Sequence, residues 1–305
     1  MNSTICGVFK VLRDLTLCDS VQMINWEVKI FGGALSKKSR RAKQKTGSSG
    51  QVALVNKWVN QANYQVYKGD YVGAVDTCRR LLSFLPKKAP QRAEVLDYLG
   101  TAQSMLQNFP QAYEAYTEAL SITPDDAQLW YNRGIACRFT IRSGQSVRDF
   151  ERAVELNKNP ALEKQFAEAL KDSRRLAEMS LKIRGSDFTL NQLIEQEDHF
   201  QRGLKLMEAG KWEEAGEAFQ QSIEMSDCLP QPWGNLGTCF IMQERYDEAE
   251  RALKRAIEID PKYTIAKQNL TALPEIRRKG PPDIVAMSEP FKGSKLKQGI
   301  TFIKE

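Results

Sequence analysis

The 305-residue sequence has little of what catalysis or membrane insertion requires. It contains a single histidine, His199, and no apolar run approaching the roughly 20 residues of a membrane-spanning helix. Its six cysteines form no C-x-x-C pair, which argues against a disulfide framework and against a zinc site. Phosphate-binding glycine loops, H-E-x-x-H and G-x-S-x-G are also absent. We therefore predict a non-enzymatic protein without metal, cofactor or small-molecule substrate.

The N-terminal stretch does not have the composition of an export signal. Its apolar residues are interrupted by Lys10, Arg13 and Asp14, which the apolar core of a secretory signal would not tolerate. Scattered unpaired cysteines agree with a reducing compartment. We expect a cytoplasmic location, with Met23 as a second candidate start of the chain.

Positive charge is concentrated before residue 55. The net charge is +6, and residues 1 to 54 hold nine basic and three acidic residues, so the remaining chain carries 35 of each sign. This segment also contains Trp26 and Phe31, and residues 23 to 46 are a candidate for binding nucleic acid or an anionic membrane. A solvated linker is the simpler alternative. The basic cluster consists of Lys37, Lys38, Arg40, Arg41, Lys43 and Lys45.

A sparse pattern of residues recurs along the chain, mostly at intervals of 34 residues. It is clearest in WGNLGTCFIMQERYDEAERALKRAIEIDPKY, residues 233 to 263, and four upstream units share it. A small residue stands in the first half of each unit, and an aromatic residue often follows a short polar link. In the clearest unit the recurring residues are Trp233, Leu236, Gly237, Tyr246, Ala249, Leu253, Ala256 and Pro261.

This pattern resembles the tetratricopeptide repeat, whose signature runs W-x-x-L-G-x-x-Y, then A-x-x-x-F, then A, then P. The resemblance implies an all-α fold, a right-handed superhelical solenoid of helix-turn-helix repeats. Apolar residues at spacings of three and four agree with two amphipathic helices per unit. We expect the helices of a pair to meet at small residues, namely at Ala62/Ala74, Gly100/Ala112 and Gly237/Ala249.

The repeats divide the chain into five predicted segments. A long charged helix should span about 161 to 183 and end at Gly185, and the next helix should begin with Asp187 as its cap. The C-terminal tail is either loosely ordered or lies back on the repeats. The segments are 1–51, a basic arm and Gly/Ser linker; 52–160, three repeats; 161–195, a degenerate repeat or helical joint; 196–273, two repeats and a capping helix; and 274–305, a Pro-containing tail.

The resemblance also implies a binding surface, because the first helix of each repeat lines the concave face of such arrays. The corresponding residues here are rich in amides and tyrosines, which suits an extended peptide. An ordinary solvated helix surface would have a similar composition. The expected groove residues are Asn60, Asn63, Tyr67, Tyr98, Thr101, Tyr131, Asn132, Arg138 and Asn235.

One known function of the family does not fit. Chaperone-binding tetratricopeptide domains grip a C-terminal carboxylate with Lys, Arg and Asn at five positions. Only one of the corresponding residues here, Asn63, matches; the other four are Val59, Tyr98, Gln128 and Asn132. We therefore predict a scaffold that binds a protein or peptide of another kind, with the arm-based nucleic-acid or membrane adaptor as the alternative.

Overall fold

A computed structural model describes residues 49 to 87 and 89 to 281. The predicted basic cluster between Lys37 and Lys45, the rest of the N-terminal arm and the tail beyond residue 281 lie outside the described residues. The predictions about those segments therefore stay predictions. Within the described ranges every regular element is an α-helix, and the predicted all-α fold is confirmed.

Twelve helices follow one another with short links in the described part of the chain. Ten of them form five helix pairs, each joined by a tight turn, and the others are the long α7 and the final α12. They are α1 Ser49–Lys68, α2 Tyr71–Phe84, α3 Pro90–Met105, α4 Phe109–Ile122, α5 Ala127–Phe139, α6 Ser143–Leu156, α7 Pro160–Arg184, α8 Leu190–Glu208, α9 Trp212–Met225, α10 Pro230–Met242, α11 Tyr246–Ile259 and α12 Thr264–Lys279.

The chain divides into two compact units, which are described separately. Unit 1 extends to Leu176 and contains three helix pairs, α1/α2, α3/α4 and α5/α6, followed by most of α7. Unit 2 begins at Ala177 and contains the pairs α8/α9 and α10/α11, with α12 packed on the last pair. In each unit, consecutive helices pack on one another, so the two units are short stacks of helix pairs, the arrangement of an all-α solenoid.

Each turn inside a pair places one residue in the left-handed region of the backbone. That residue is Gly69, Gln107, Ile141, Gly210 or Glu244, with φ between 54° and 79°. The amide of the next residue donates to a carbonyl five positions back, as Asp70 does to Gln65 and Arg142 to Cys137. This bond is the signature of a Schellman turn and explains why all five links are equally short.

The two helices of a pair meet through a glycine and a ring. A Cβ on Gly100 would lie 2.5 Å from Cε1 of Tyr116, and the three nearest side-chain atoms all belong to that ring. The same contact joins Gly134 to Phe150 and Gly203 to Phe219, again 16 residues apart. The ring of Tyr116, one helical turn beyond Ala112, fills the space above Gly100, and the expected contact between Gly100 and Ala112 stays a prediction.

In the last repeat, Leu253 takes the place of the ring, and a Cβ on Gly237 would lie 2.8 Å from its Cδ2 atom. The backbone oxygen of Ala249 is 3.4 Å away from the same point. The predicted approach of Gly237 and Ala249 is thus present, but Leu253 makes the tighter contact. In the first repeat, the residues 16 apart are Ala62 and Cys78, and both are completely buried.

The region between the three-pair and two-pair stacks differs in one detail from the sequence prediction. Helix α7 runs over Pro160–Arg184, as expected, and Gly185 follows it. The cap of α8 is Thr189 and not Asp187, because the Thr189 hydroxyl accepts from the amide of Gln192 while the Gln192 side chain accepts from the amide of Thr189. This reciprocal capping box satisfies two helix-end donors, which Asp187 is too far upstream to do.

Among residues 49–87 and 89–281, no helix is both long and apolar enough to cross a membrane. In the same ranges no group of His, Cys, Asp and Glu side chains has the arrangement of a metal site. Cys78 and Cys239 are buried, and burial raises the pKa of each thiol to about 12. These thiols act as small core residues, because a nucleophilic cysteine requires a lowered pKa.

Candidate functional site

Hydrogen bonds join the first helices of successive repeats in unit 1. The side-chain amide of Asn63 on α1 donates to the hydroxyl oxygen of Tyr98 on α3 over 3.0 Å. The Tyr98 hydroxyl in turn donates to Oε1 of Glu94 over 2.8 Å. An exposed carboxylate, a buried phenol and a half-buried amide are thereby held in one row across two helices.

A second row continues the first across α3 and α5. The amide of Asn132 donates to Oδ1 of Asp97 over 3.2 Å, and Gln128 donates to the amide oxygen of Asn132 over 3.0 Å. Asp126 stands just before these residues and caps α5 by accepting from the amides of Gln128 and Leu129. Because Asp97 and Tyr98 are neighbours on α3, the two rows form a continuous polar strip over three helices.

Unit 2 repeats this contact once, with different residues. The amide of Asn269 on α12 donates to the hydroxyl of Thr238 on α10 over 3.1 Å. When residues are counted from the start of each repeat, Asn269 corresponds to Tyr98 and Thr238 corresponds to Asn63. Both are buried, as is Asn235 on the same face of α10. The interhelical hydrogen bond is therefore a property of the repeat and belongs to the stack in both units.

This finding changes the expected role of five predicted groove residues, because the structure buries Tyr98, Thr101, Tyr131, Asn132 and Asn235. Tyr131 is 3% exposed and stacks on Phe166 with 4.6 Å between ring centroids. The hydroxyl of Thr101 lies 3.3 Å from that of Tyr116. These side chains are buried within the helix stack, so they are not open to a ligand as the sequence suggested.

The remaining predicted residues lie on the surface or partly so. Asn60 and Tyr67 are exposed, while Asn63 and Arg138 are half-buried. Asn60 occupies the repeat position of Tyr98 and Asn132, but α1 is the first described helix and no earlier helix in the described chain covers it. We use the term α1–α3–α5 face for the accessible residues beside the polar strip. It comprises Asn56, Asn60, Asn63 and Tyr67 of α1, Glu94 and Asp97 of α3, and Gln128 of α5.

The charge of this face is negative around Asp97. The pKa of Asp97 is raised to about 7, mainly by burial. The nearby charges of Asp126 and Glu94 raise this pKa further, whereas the hydrogen bond from Asn132 lowers it. Asp97 as a whole residue is half-buried, while its carboxyl group lies deep enough for burial to be the main cause of the shift. A cation placed beside it would favour its charged form.

Exposed apolar side chains are also concentrated in the first repeat. Tyr64 and Tyr67 of α1 are 61% and 65% exposed, and the ammonium group of Lys68 lies 5.7 Å from each ring centroid. Val72 and Phe84 of α2 are similarly exposed. Within residues 177–281 no large apolar side chain reaches comparable exposure. The described surface of unit 1 is thus better suited to hold an aromatic or aliphatic ligand group.

Sequence reasoning missed a buried ion pair in the third repeat. Arg133 Nη2 and Nε lie 2.7 and 2.8 Å from the two carboxylate oxygens of Asp149, whose side chain is fully buried. Arg133 also lies over the Trp130 ring, 4.7 Å from its centroid. The repeat offers a signal that could have found the pair. In the last repeat, the positions of Arg133 and Asp149 are occupied by Leu236 and Ala252. Two opposite charges at positions that are apolar in another repeat indicate an ion pair between the paired helices.

Comparison with known proteins agrees with the fold. The family model described as "Tetratricopeptide repeat" matches residues 230–263, which comprise α10, α11 and the following turn. The chain is a tetratricopeptide-repeat-containing protein. The match covers the repeat in which Gly237 packs on Leu253, and the same glycine contact recurs in the pairs α3/α4, α5/α6 and α8/α9.

One curated relative is the "Peroxisomal targeting signal receptor" of Yarrowia lipolytica (strain CLIB 122 / E 150). It is 32% identical over 119 residues, a region that includes 39% of this tetratricopeptide-repeat chain and 19% of the relative. The chain thus matches about a fifth of the length of that receptor.

Two solved structures that resemble this chain are those of YrrB and of the P58(IPK) TPR domain. The YrrB structure, titled a TPR protein with an unusual peptide-binding site, is 18% identical, with a TM-score of 0.32 and coverage of 72% of this chain and 96% of that one. The P58(IPK) TPR domain is 12% identical, with a TM-score of 0.40 and coverage of 73% and 65%.

Proposed function

We propose that this tetratricopeptide-repeat protein is a non-catalytic scaffold that binds a peptide segment of a partner protein on the α1–α3–α5 face. The observation that supports the proposal is the pair of hydrogen-bonded rows from Asn63 to Tyr98 and from Asp97 to Asn132. These bonds join three helices into one fixed surface. A ligand therefore meets a preorganised site, which reduces the entropic cost of binding.

The accessible side chains on α1 have the chemistry needed for an extended peptide. Asn56, Asn60, Asn63 and Tyr67 are spaced by three and four residues and so share one side of the helix. Each amide offers two donors and an acceptor, which match the N–H and C=O groups of a peptide backbone. Tyr67 adds an exposed ring of the kind that anchors binding interfaces.

The matched relative is named a receptor for a targeting signal, which supports a recognition role for this chain. The similarity covers only part of both proteins, so it does not identify the ligand. We propose a protein or peptide partner, and we assign specificity to side chains of this chain alone.

The proposal can be tested with peptides selected on the full-length protein from a random display library. The dissociation constant of a selected peptide is then measured for the parent and for the double variant Asn60→Ala/Tyr67→Ala. The lost amide bonds and the lost aromatic anchor together should weaken binding about tenfold or more. Both side chains are exposed, so the helical content should not change.

Phe84→Ala is the matched control, because Phe84 is an equally exposed aromatic residue that lies on the second helix of the same repeat. Its dissociation constant should stay within about twofold of the parent value, since surface substitutions away from a contact have small effects. Unchanged affinity in the double variant, or an equal loss in the control, would show that the selected peptide binds elsewhere.

A further inference from the structure

We propose that the chain's own basic segment, residues 37 to 45, docks on the α1–α3–α5 face and competes there with a partner peptide. This inference rests on the proposed function of that face. It gives the unexplained cluster of six cations a binding site within the same chain.

Charge complementarity is the first argument. Glu94, Asp97 and Asp126 lie together on or beside the face, and none of the three takes part in an ion pair in the described chain. Several carboxylates on the second helices of unit 1 are paired, for example Glu118 with Arg92 and Glu151 with Arg174. The chain's whole net positive charge lies before residue 55. The segment that carries it is therefore the natural counterpart of this face.

Chain length is the second argument. The segment ends only four residues before α1, which begins at Ser49. Asn63 contacts Tyr98, so Asp97 lies beside the part of α1 about 14 residues, or roughly 21 Å, from its start. The 8 to 12 residues that separate Lys37–Arg41 from Ser49 can span about 27 to 41 Å. Lysines and arginines of the segment can thus reach Asp97 and Glu94 without any change in α1.

The face also offers contacts beyond charge. The amides of Asn56 and Asn60 lie along the path from the start of α1 to Asp97, where they can bond the backbone of an extended segment. A tethered segment acts at an effective concentration of about millimolar, so even a weak intrinsic affinity keeps the face occupied. A partner peptide has to displace it, and the segment thereby sets the threshold for partner binding.

The test uses full-length protein and a synthetic peptide, SKKSRRAKQK, which corresponds to residues 36 to 45. One variant carries glutamine at all six cationic positions of the segment. We expect the peptide to bind this variant about tenfold or more tightly than the parent, because the parent face is already occupied. Adding Glu94→Gln/Asp97→Asn to the six-glutamine variant should abolish the gain.

Asp76→Asn/Glu163→Gln is the matched control, because it removes two exposed carboxylates from α2 and α7. In the six-glutamine background it should leave peptide affinity within about twofold, apart from the general effect of net charge. A carbodiimide, which links amines directly to carboxylates, should join a lysine of the segment to Glu94 or Asp97 in the monomeric parent.

Several outcomes would overturn the proposal. They are equal affinity of the peptide for parent and six-glutamine variant, no binding to either, and cross-links found only between two copies of the chain. The segment could instead bind anionic vesicles or nucleic acid in a salt-sensitive manner. If Glu94→Gln/Asp97→Asn left that binding unchanged, the cations would be assigned to phosphate groups.

The result is separable from the test of the proposed function. If the segment does not dock, the Asn60→Ala/Tyr67→Ala variant still loses affinity for a selected peptide. If the face binds no peptide at all, neither that variant nor the six-glutamine variant changes the binding of a selected peptide.

Discussion

The third repeat of unit 1 and the last repeat of unit 2 use the same helix pair to bury different chemistry. Arg133 and Asp149 form a buried ion pair in the third repeat, whereas Leu236 and Ala252 fill those positions in the last repeat. The backbone tolerates both solutions because glycine brings the two helices equally close in each case. The repeat thus determines where a side chain is buried and leaves its polarity to the individual sequence.

The largest expected effect comes from breaking the ion pair on one side. Asp149→Ala leaves the Arg133 guanidinium buried without its carboxylate, which should destabilise unit 1 by about 3–5 kcal/mol. Arg133→Leu/Asp149→Ala installs the residues of the last repeat and should bring stability back to within about 1 kcal/mol of the parent. Denaturant unfolding of the three proteins measures both changes. A double variant as unstable as Asp149→Ala would show that the third repeat needs the charges themselves.

The contact between glycine and ring gives the next effect. Gly100→Ala places a Cβ against the aromatic ring of Tyr116, and Gly237→Leu places a larger side chain against Leu253. Each should cost about 1–3 kcal/mol, because neither contact has room for added atoms. Gly216→Ala is the control inside a helix, where the nearest atom is 3.6 Å from the new Cβ.

Gly216→Ala should raise stability by about 0.5–1 kcal/mol, since alanine restricts the unfolded chain and favours the helix. Thermal unfolding followed by circular dichroism distinguishes the three variants. If Gly100→Ala were as stable as Gly216→Ala, the close approach of α3 to α4 would not limit the size of this residue.

The turns inside the helix pairs also differ from one repeat to another. Ile141 in unit 1 has φ of 54°, a conformation that a β-branched residue adopts only at a cost, while Gly210 takes that place in unit 2. Ile141→Gly should therefore stabilise unit 1 by about 1 kcal/mol. Ile141→Ala is the control, because it removes the exposed side chain and keeps a Cβ. Equal melting temperatures for the two variants would locate the effect in the side chain and not in the backbone.

A pH-dependent effect is expected at Asp97, whose repeat position is occupied by Gly234 in unit 2. Its raised folded-state pKa, about 7, means that the folded protein binds the proton more tightly than the unfolded chain. The stabilisation from Asp97 is therefore fully present below its unfolded pKa, about 4, and is lost as the pH rises through 7. Asp97→Asn should gain stability relative to the parent between pH 5 and pH 8, and a constant difference over that range would contradict the shift.

Much of the fold could be predicted from the sequence because the repeat signature consists of packing residues. Glycine, ring and apolar spacing determine how two helices fit together, and all of them are visible in one dimension. Tyr71, Phe109, Trp212 and Tyr246 follow short polar links in the sequence, and each begins the second helix of its pair. Such residues report local geometry, so their period alone indicates a stack of helix pairs.

The candidate site was harder to predict, because exposure depends on the neighbouring repeat. Asn60 and Asn132 occupy the same repeat position, yet Asn60 is exposed and Asn132 is buried. The difference arises because α3 precedes α5 in the stack and covers its amide, whereas no described helix precedes α1. A single repeat does not contain this information, and five residues expected in the groove proved to be buried.

The sequence by itself determined the helix pairs, their turns and the small residues at which they meet, because these follow from the spacing of small and apolar residues within each repeat. Only the tertiary structure decided which polar side chains bond one another between repeats and which remain accessible. Asn63 and Tyr98, or Arg133 and Asp149, are each compatible with a solvated surface when considered singly. They become one hydrogen-bonded row and one buried ion pair only when adjacent helices bring the partners together.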